Sequence, residues 1–282
     1  MHVRASQTER FGFTLLELLI VSAILSVLSG LFLGGIQKVR EAGSKLRCGN
    51  NLKEVGLAVH HYHDDYRHVP ACRDDVNVCS GPRGWPYKIL PYLDEAALFA
   101  AATADPASGD NRLAVFACPS DPREFGPYGI TSYVGVTGSA YQPFGASNGV
   151  FVPSNSVGIR LTDITDGLSN TLMAGERPPS ADMIWGWWFF TDFDNLLAAD
   201  KNSCIAEYVG SEIQSRYANC TNSRFSPGGI TDDCAVEHFW SAHSDGANWL
   251  FADGSVRFLS YAAADLIIPL STRNGGETVE ID

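Results

Sequence analysis

Positive charge is scarce in this 282-residue chain, which has 20 Lys and Arg residues against 32 Asp and Glu residues and a net charge of −12. An acidic surface argues against binding of DNA or RNA through phosphate contacts, so we expect no nucleic-acid partner. The chain also lacks a CxxC pair and the His/Cys spacing of a zinc site. No catalytic set of residues converges in the sequence, which disfavours an anchored hydrolase, and we predict that the protein is not an enzyme.

Proline is absent from Phe13 to Val69. Residues 13–36 form an almost unbroken run of apolar and small residues, and apolar residues then recur at helical spacing to about Tyr62. We therefore predict one helix of about 50 residues that continues to about residue 66, near 75 Å long at 1.5 Å per residue. The segment 13–36 is long enough for one membrane span, which needs roughly 20 residues.

Few charges surround this apolar run. Residues 1–12 carry Arg4 and Arg10 against Glu9, which predicts that the N-terminus stays in the cytoplasm. The small-residue cleavage site that ends a secretory signal does not follow the run. Glu17 lies near its beginning, and a carboxylate inside an apolar span is costly enough to indicate a function.

The sequence Gly12-Phe13-Thr14-Leu15-Leu16-Glu17 resembles the processing site of type IV prepilins and type II secretion pseudopilins. The resemblance implies that a prepilin peptidase removes the leader 1–12 and that the new Phe13 amine is N-methylated. It also implies that Glu17 pairs with the Phe13 ammonium of a neighbouring subunit, because a buried carboxylate is tolerable when it is paired. The implied partners are the prepilin peptidase, an inner-membrane assembly platform and other pilin-like subunits.

A second resemblance lies near the C-terminus. His243 is followed ten residues later by Asp253-Gly254 between alternating apolar residues, which predicts a hairpin because its turn needs positive φ. The spacing resembles the H-X9-DG box of a pilin-like family of undefined biochemical role, and so do Cys48-x-Asn50-Asn51-Leu52-Lys53 and Cys118-Pro119-Ser120-Asp121. Together the resemblances imply an α+β, pilin-like fold, with the long N-terminal helix packed on an antiparallel sheet in a loop-rich head, 37–282. For His243, a structural role that locks the hairpin corner is favoured over a catalytic dyad with Asp253.

Beyond Pro70 the periodic runs are short and separated by Gly, Pro, Asn and Asp. We predict a short helix within 94–102 and short strands. The strand candidates are 113–116, 131–136, 149–152, 171–174 and 184–190.

All seven cysteines follow the apolar run, on the side that we expect to be exported, where disulfides are permitted. We predict a Cys48–Cys118 bond, which would tie the helix to the Cys118-Pro119 loop, and a Cys72–Cys79 bond. Two of the remaining three are expected to pair. We assign Cys204 and Cys220 to this bond, but which two of Cys204, Cys220 and Cys234 pair with each other stays open.

Two polar groups could hold a metal. The first group lies at the end of the helix and consists of His60, His61, His63, Asp64, Asp65 and His68. For these residues a polar helix terminus is favoured over a divalent metal site. Asp232 and Asp233, in the loop before the last hairpin, are our candidates for Ca²⁺, although no EF-hand pattern is present. We expect no other cofactor.

The predicted function is that of a structural subunit of a type IV pilus or a type II secretion pseudopilus-like filament. The chain would sit in the inner membrane by one span, with its head in the periplasm, before it enters a periplasmic or extracellular filament. The alternative is a membrane- or fibre-displayed binding module, a glycan or substrate-protein adhesin. It would use an aromatic surface at Trp185 and Trp187, for which packing in the core is the favoured alternative.

Overall fold

The structure is a computed structural model, and it forms two units, Met1–Gly43 and Ser44–Asp282, each of which we describe by itself. Cys72, Cys79 and Cys204, which carry two of the predicted disulfides, lie outside the described residues. The described residues are 12, 14–71, 83–106, 108, 111–123, 126, 129–140, 147–152, 158–190, 194–200, 217, 220, 224–277 and 279.

The first element is the helix α1, Leu15–Tyr66, which has 52 residues and confirms the predicted long helix. In the first unit, every residue of α1 up to Arg40 is exposed. In the second unit, α1 buries one face, because apolar residues recur every three or four positions. The buried residues are Cys48, Leu52, Val55, Gly56, Ala58, Val59 and Tyr62.

The head, Ser44–Asp282, contains a sheet whose described strands run in the order β3-β1-β2-β4-β5. Neighbouring strands are antiparallel except for β1 and β3, which pair in parallel. The sheet and α1 together confirm the α+β, pilin-like fold, with one parallel pair that the sequence did not predict. The strands are β1 (Tyr133–Val136), β2 (Leu172–Glu176), β3 (Leu196–Leu197), β4 (Gly246–Phe251) and β5 (Val256–Ser260).

The buried face of α1 packs against the sheet. A Cβ atom at Gly56 would lie 2.7 Å from Leu250 Cδ1 of β4, so a larger residue there would force the Leu250 side chain to shift. Residues of α1 and Leu250 share one hydrophobic core. Trp249 and Phe251 of β4 belong to a second core because successive side chains of a strand point to opposite faces. The short helix Ala264–Leu270 contributes Ile267 to that second core.

Three of the predicted strands are wrong. The segment 113–116 contains a 3-10 helix, Ala114–Phe116, and 149–152 forms no regular strand, although the Gly149 and Phe151 amides donate to Thr137 O and Val136 O. In 184–190, Gly186 has φ +110°, which breaks an extended run, and Trp187 makes one isolated bridge to Ile130. The strands predicted near 131–136 and 171–174 and the C-terminal hairpin are present. Two short helices, Trp85–Lys88 and Ala96–Ala104, also form, and the second matches the one predicted within 94–102.

Candidate functional site

The described part of the predicted processing site is the beginning of α1. Gly12 and Thr14 are exposed and precede the helix, whereas Phe13 lies outside the described residues. Glu17 accepts two hydrogen bonds at its Oε2 atom, from the Thr14 amide at 2.9 Å and from the Thr14 hydroxyl at 2.8 Å. The Glu17 amide donates back to Thr14 Oγ1 at 3.3 Å. This reciprocal pair is a capping box, so Glu17 stabilises the helix start in addition to placing a charge there.

The side chains that follow Glu17 form an apolar surface. The exposed fractions of the large apolar residues in the first unit run from 45% at Leu28 to 84% at Leu15. The Ser22 hydroxyl is satisfied within the helix, since it donates to Leu19 O at 2.9 Å. Among the described residues, α1 is the helix that is long and apolar enough to cross a membrane. An apolar surface of this extent indicates contact with lipid or with other apolar helices.

In the head, a disulfide joins Cys48 of α1 to Cys118, 70 residues later in the chain. This is the pair that the sequence predicted. Cys118 follows the 3-10 helix Ala114–Phe116, and its amide donates to Ser132 Oγ at 3.1 Å. Both cysteines are buried. The bond therefore ties α1 to the Cys118-Pro119 loop inside the core.

His243 and Glu176 lie directly against this disulfide. His243 Nε2 is 3.7 Å from Cys118 Sγ and 3.5 Å from Glu176 Oε1. The side chains of His243 and Glu176 are 0% and 1% exposed. One ligand atom from each of Cys48, Cys118, Glu176 and His243 lies within 4.8 Å of the others. We call these four residues the buried cluster.

Hydrogen bonds from neighbouring strands and from α1 fix the buried cluster. Glu176 ends β2, and its Oε2 accepts the Asn248 amide of β4 at 2.6 Å, which leaves Oε1 facing His243. Asn51 Nδ2, one turn after Cys48, donates to Ala117 O at 3.0 Å and to Tyr133 Oη at 3.3 Å. Burial and the nearby Glu176 charge raise the pKa of Tyr133 well above its usual value, which keeps the phenol neutral.

The turn at Asp253-Gly254 joins β4 to β5 and rests on α1. Gly254 has φ +78°, the left-handed conformation that the sequence predicted for this turn. Lys53 Nζ donates to Gly254 O at 2.5 Å, and His60 Nε2 lies 3.0 Å from Ala252 O. His243 and Asp253 therefore act at separate places: the first at the disulfide, the second at the turn, where its carboxylate accepts the Ser255 amide at 2.8 Å.

Three of the histidines at the end of α1, His60, His63 and His68, contact backbone groups in three different segments. His63 Nε2 accepts the Leu161 amide at 3.3 Å, and His68 Nδ1 lies 2.8 Å from Val69 O. Burial lowers the pKa of His63, which favours the neutral ring that accepts this amide. These contacts are those of a polar helix terminus.

Asp232 and Asp233 lie in the loop before the last hairpin. Asp232 caps the 3-10 helix Asp233–Glu237, and its Oδ1 accepts the Cys234 amide at 2.9 Å. One carboxylate oxygen of the proposed calcium pair thus has a structural role. Cys234 forms a disulfide with Cys220, so the assignment of Cys204 as the partner of Cys220 is wrong.

The aromatic segment is divided between the core and the surface. Trp188 and Phe189 are buried, whereas Trp185 and Trp187 are half-buried and Phe190 is exposed. Trp188 Nε1 donates to Asn111 O at 2.8 Å, which fixes that ring in the core. The part of this segment that a partner could reach is therefore smaller than the sequence indicates.

The sequence Gly145-x-Ser147-x-Gly149 has the spacing of the nucleophile turn of serine hydrolases, a match that the sequence analysis missed. That turn requires a strand followed by a helix. Residues 147–152 form neither element in the structure. The Ser147 carbonyl instead accepts Arg273 Nη1 at 2.7 Å, so the described part of this segment has a structural role.

A second buried charged group adjoins the aromatic segment. Arg177 Nη2 donates to Asp194 O at 2.7 Å, and Asp194 Oδ1 accepts the amides of Gly186 and Trp187 at 2.9 and 3.1 Å. Burial raises the pKa of Asp194 to about 6, opposed only in part by its two amide hydrogen bonds and the Arg177 charge. Burial also raises the pKa of Glu237 to about 7, opposed only in part by the Arg177 charge. The folded head therefore holds these two protons at a higher pH than the unfolded chain does.

We expect this proton uptake to make the stability of the head depend on pH. A carboxyl group whose pKa is raised in the folded state adds stability at low pH, and that contribution is lost as pH rises through its folded pKa. Glu237→Gln should remove the loss of stability that this group causes in the wild type between about pH 4.5 and 7. The free energy of unfolding of the variant minus that of the wild type should therefore be on the order of 2 kcal/mol larger at pH 8 than at pH 5. Denaturant titrations at both pH values measure the difference.

The pH dependence of His238 works in the opposite direction. Burial lowers its pKa, so its contribution is lost as pH falls below the ordinary histidine range. This effect is common to wild type and Glu237→Gln and cancels in their difference. Glu54→Gln, at an exposed position of α1, is the matched control and should follow the wild-type curve. Parallel pH curves for Glu237→Gln and wild type would contradict the prediction.

The models of two known protein families match this chain. The model of a prokaryotic N-terminal methylation motif matches residues 9–33, and the model described as "Protein of unknown function (DUF1559)" matches residues 37–265. No curated protein matches the chain. No solved structure matches it either.

The methylation motif, the exposed apolar helix and the α+β head define a type IV pilin- or pseudopilin-like protein. Since the second match covers well over half of the chain, the protein belongs to the DUF1559 family. Such a pilin-like protein is typically structural, and its N-terminal helix fits membrane anchoring before assembly.

The sequence analysis missed Glu176 and treated His243 only as part of the hairpin corner. Cys48, Cys118 and His243 were each picked out by motif, but they are 70 and 125 residues apart in sequence. Glu176 belongs to no recognised motif. The one sequence feature that could have drawn attention to it is that it is a single acidic residue at the end of an apolar strand, followed by Arg177. Pairing of β2 with β4 places Glu176 beside β4, and the packing of α1 on the sheet with the Cys48–Cys118 bond brings in the two cysteines.

Proposed function

We propose that this chain is a structural subunit of a type IV pilus or a type II secretion pseudopilus-like filament. The observation that carries the proposal is the surface of α1 in the first unit, where apolar side chains are exposed from the first turn onward and Glu17 adds one carboxylate. In lipid this surface anchors the chain, and in a filament the same surface packs on other copies of α1.

Glu17 has a defined role in this proposal. The carboxylate is costly in an apolar environment unless a positive charge accompanies it. Cleavage after Gly12 creates such a charge, the amine of Phe13, at the end of each helix. Thr14 occupies Oε2, so the Phe13 ammonium of a neighbouring subunit would approach Oε1. This pairing sets the axial offset between neighbouring helices.

The proposal implies a sequence of partners. A prepilin peptidase acts first at the cytoplasmic face of the membrane, an inner-membrane assembly platform then extracts the helix, and other pilin-like subunits receive it. The head is exported before this step, and its acidic composition keeps it soluble outside the membrane.

The alternative, a displayed binding module that uses Trp185 and Trp187, is less well supported. Trp188 and Phe189 belong to the hydrophobic core, and Trp187 is half-buried and donates its indole N–H to Ile184 O at 3.1 Å. The packing of these rings accounts for most of the aromatic segment without a ligand.

Mass spectrometry of the N-terminus of this chain, purified in sheared filaments, tests the proposal. We expect N-methylated Phe13 as the first residue, whereas cells that lack prepilin peptidase should yield membrane-bound chains that keep Met1. Filaments that contain the chain with residues 1–12 attached would refute processing. Processed chains that are absent from every filament fraction would refute the subunit role.

A further inference from the structure

The buried cluster contains the ligand types of a zinc site. It presents two sulfur atoms, one imidazole nitrogen and one carboxylate oxygen, and thiolate, imidazole and carboxylate are the groups that bind Zn²⁺ in proteins. The four residues come from α1, the Cys118 loop, the end of β2 and the loop before β4, so four separate parts of the head converge here. All four residues are buried.

Two of the ligand-to-ligand distances suit tetrahedral coordination. Ligand atoms at about 2.0–2.3 Å from Zn²⁺ lie roughly 3.3–3.8 Å from one another in a tetrahedron. The distance from His243 Nε2 to Cys118 Sγ is 3.7 Å and that from His243 Nε2 to Glu176 Oε1 is 3.5 Å. The two sulfur atoms are bonded to each other, so they must separate to non-bonded contact before both can bind an ion.

The orientation of the acidic ligand is set in advance. Asn248 donates its amide to Glu176 Oε2 at 2.6 Å, so Oε1 is the oxygen that points to His243. Hydrogen bonds of this kind orient metal ligands and raise the affinity of their sites. The hydrogen bond from Asn248 therefore holds Glu176 in an orientation that suits a metal ligand as well as a hydrogen bond to His243.

We propose that the buried cluster is a redox-gated metal site, which binds one Zn²⁺ or a similar thiophilic divalent ion when the Cys48–Cys118 disulfide is reduced. A dithiol reductant transfers two electrons and two protons to the disulfide, which yields two cysteine thiols and the oxidised, cyclic disulfide of the reductant. Zn²⁺ then binds both sulfur atoms with release of the two thiol protons, and His243 Nε2 and Glu176 Oε1 complete the coordination.

Two surface clefts border members of the cluster. Cys118 lines one cleft, of about 480 Å³, together with Asn51 and Arg47. His243 lines another, of about 390 Å³, together with Trp240 and Tyr261. The ligand atoms themselves are buried, so a reductant and a metal ion reach them from these clefts through local opening of the head.

The metal would replace the disulfide as a cross-link. Either state joins α1 to the Cys118 loop, and binding energy at a structural zinc site contributes directly to folding. The cross-link between α1 and the Cys118 loop would thus be present both in the oxidised, disulfide form and in the reduced, metal-bound form. This inference is independent of filament assembly and concerns the head alone.

Cobalt binding to the full chain in detergent tests the proposal. We expect the reduced protein, freed of reductant, to bind one Co²⁺ per chain, with thiolate-to-cobalt charge-transfer absorption and the visible bands of a tetrahedral ion. Zn²⁺ should displace the Co²⁺, and the oxidised protein should show neither signal. Reduced protein without a tetrahedral, thiolate-bound cobalt spectrum would overturn the proposal.

Alkylation of wild-type protein locates the ion without any substitution. After reduction, Zn²⁺ should slow modification of Cys48 and Cys118 at least tenfold, measured by peptide mass spectrometry. Cys220 and Cys234, which reduction also frees, are internal controls and should react at the same rate with and without Zn²⁺. Protection of Cys220 and Cys234 in place of Cys48 and Cys118 would contradict the assignment.

Two substitutions test the other ligands. His243→Asn and Glu176→Gln should each weaken Co²⁺ binding at least about 100-fold, since even supporting residues of metal sites cost 10–100-fold. Cys220→Ser/Cys234→Ser is the matched control and should bind as wild type does. If a folded His243→Asn or Glu176→Gln chain keeps wild-type affinity, that residue is not a ligand and the four-ligand site is wrong.

Discussion

Glu17→Ala chains should be processed and inserted in the membrane but should be reduced at least tenfold in filaments, compared with wild type. The carboxylate lies in the first turn of α1, within a surface that is apolar and exposed. In a filament core, the Phe13 ammonium of the neighbouring subunit would lose its counter-charge. Removal of one partner from a buried ion pair costs about 3–5 kcal/mol, which is a factor of roughly 100 or more in an association constant.

Glu17→Gln separates the charge of this residue from its capping role. The amide oxygen that this substitution introduces can still accept the Thr14 amide and hydroxyl, as Glu17 Oε2 does, so the helix start is preserved. If the charge is what assembly needs, Glu17→Gln should fail as Glu17→Ala does. Immunoblots of sheared filaments and of membranes measure both the incorporated and the retained chain.

Ser22→Ala is the control on the same surface. The Ser22 hydroxyl donates only within its own helix, to Leu19 O, so its loss should leave incorporation near the wild-type level. Equal incorporation of wild type and Glu17→Gln would show that the residue serves the helix cap alone. The proposed pairing between subunits would then be wrong.

Replacement of both Cys48 and Cys118 by alanine should destabilise the head by about 4 kcal/mol, the loop-closure entropy expected for this separation. The bond closes a separation of 70 residues, and both sulfur atoms lie in the core. For a domain of this size, about 2–4 °C of melting temperature is lost per kcal/mol, so Tm should fall by roughly 8–16 °C. Thermal unfolding of the full chain in detergent, followed by tryptophan fluorescence, measures the change.

Cys220→Ala/Cys234→Ala provides the matched comparison. Its bond closes a separation of 14 residues, for which the same entropy is about 3 kcal/mol, and both cysteines are only half-buried. We therefore expect the smaller loss of stability from this pair. An equal or larger loss would mean that the connection of α1 to the Cys118 loop contributes less than its position in the core indicates.

These two predictions concern different parts of the molecule. Glu17 is exposed on α1 and its effect requires other copies of the chain, so Glu17→Ala should leave the melting of the head unchanged. The Cys48–Cys118 bond acts within one head, and its loss should lower Tm in detergent, where no filament is present. The two variants together therefore separate assembly defects from folding defects.

Local sequence patterns predicted the elements whose causes are local. The helix to about residue 66 follows from the spacing of apolar residues and the absence of proline, and the β4–β5 hairpin follows from Asp253-Gly254, where Gly254 adopts φ +78°. The strand predicted at 184–190 was wrong because an alternating aromatic run resembles a strand. Gly186, at φ +110°, breaks it, and Trp188 packs in the core.

The sequence by itself determined the processing motif and the membrane-length helix, because each depends on neighbouring residues, and it also predicted the Cys48–Cys118 pair that the structure confirms. Tertiary structure alone decided that Cys220 bonds to Cys234 and that Glu176 and His243 lie against the Cys48–Cys118 bond. The physical reason is that these contacts arise where β2, β4 and α1 pack on one another. Sheet pairing over tens of residues leaves no trace in local spacing, so only the folded head shows which side chains meet.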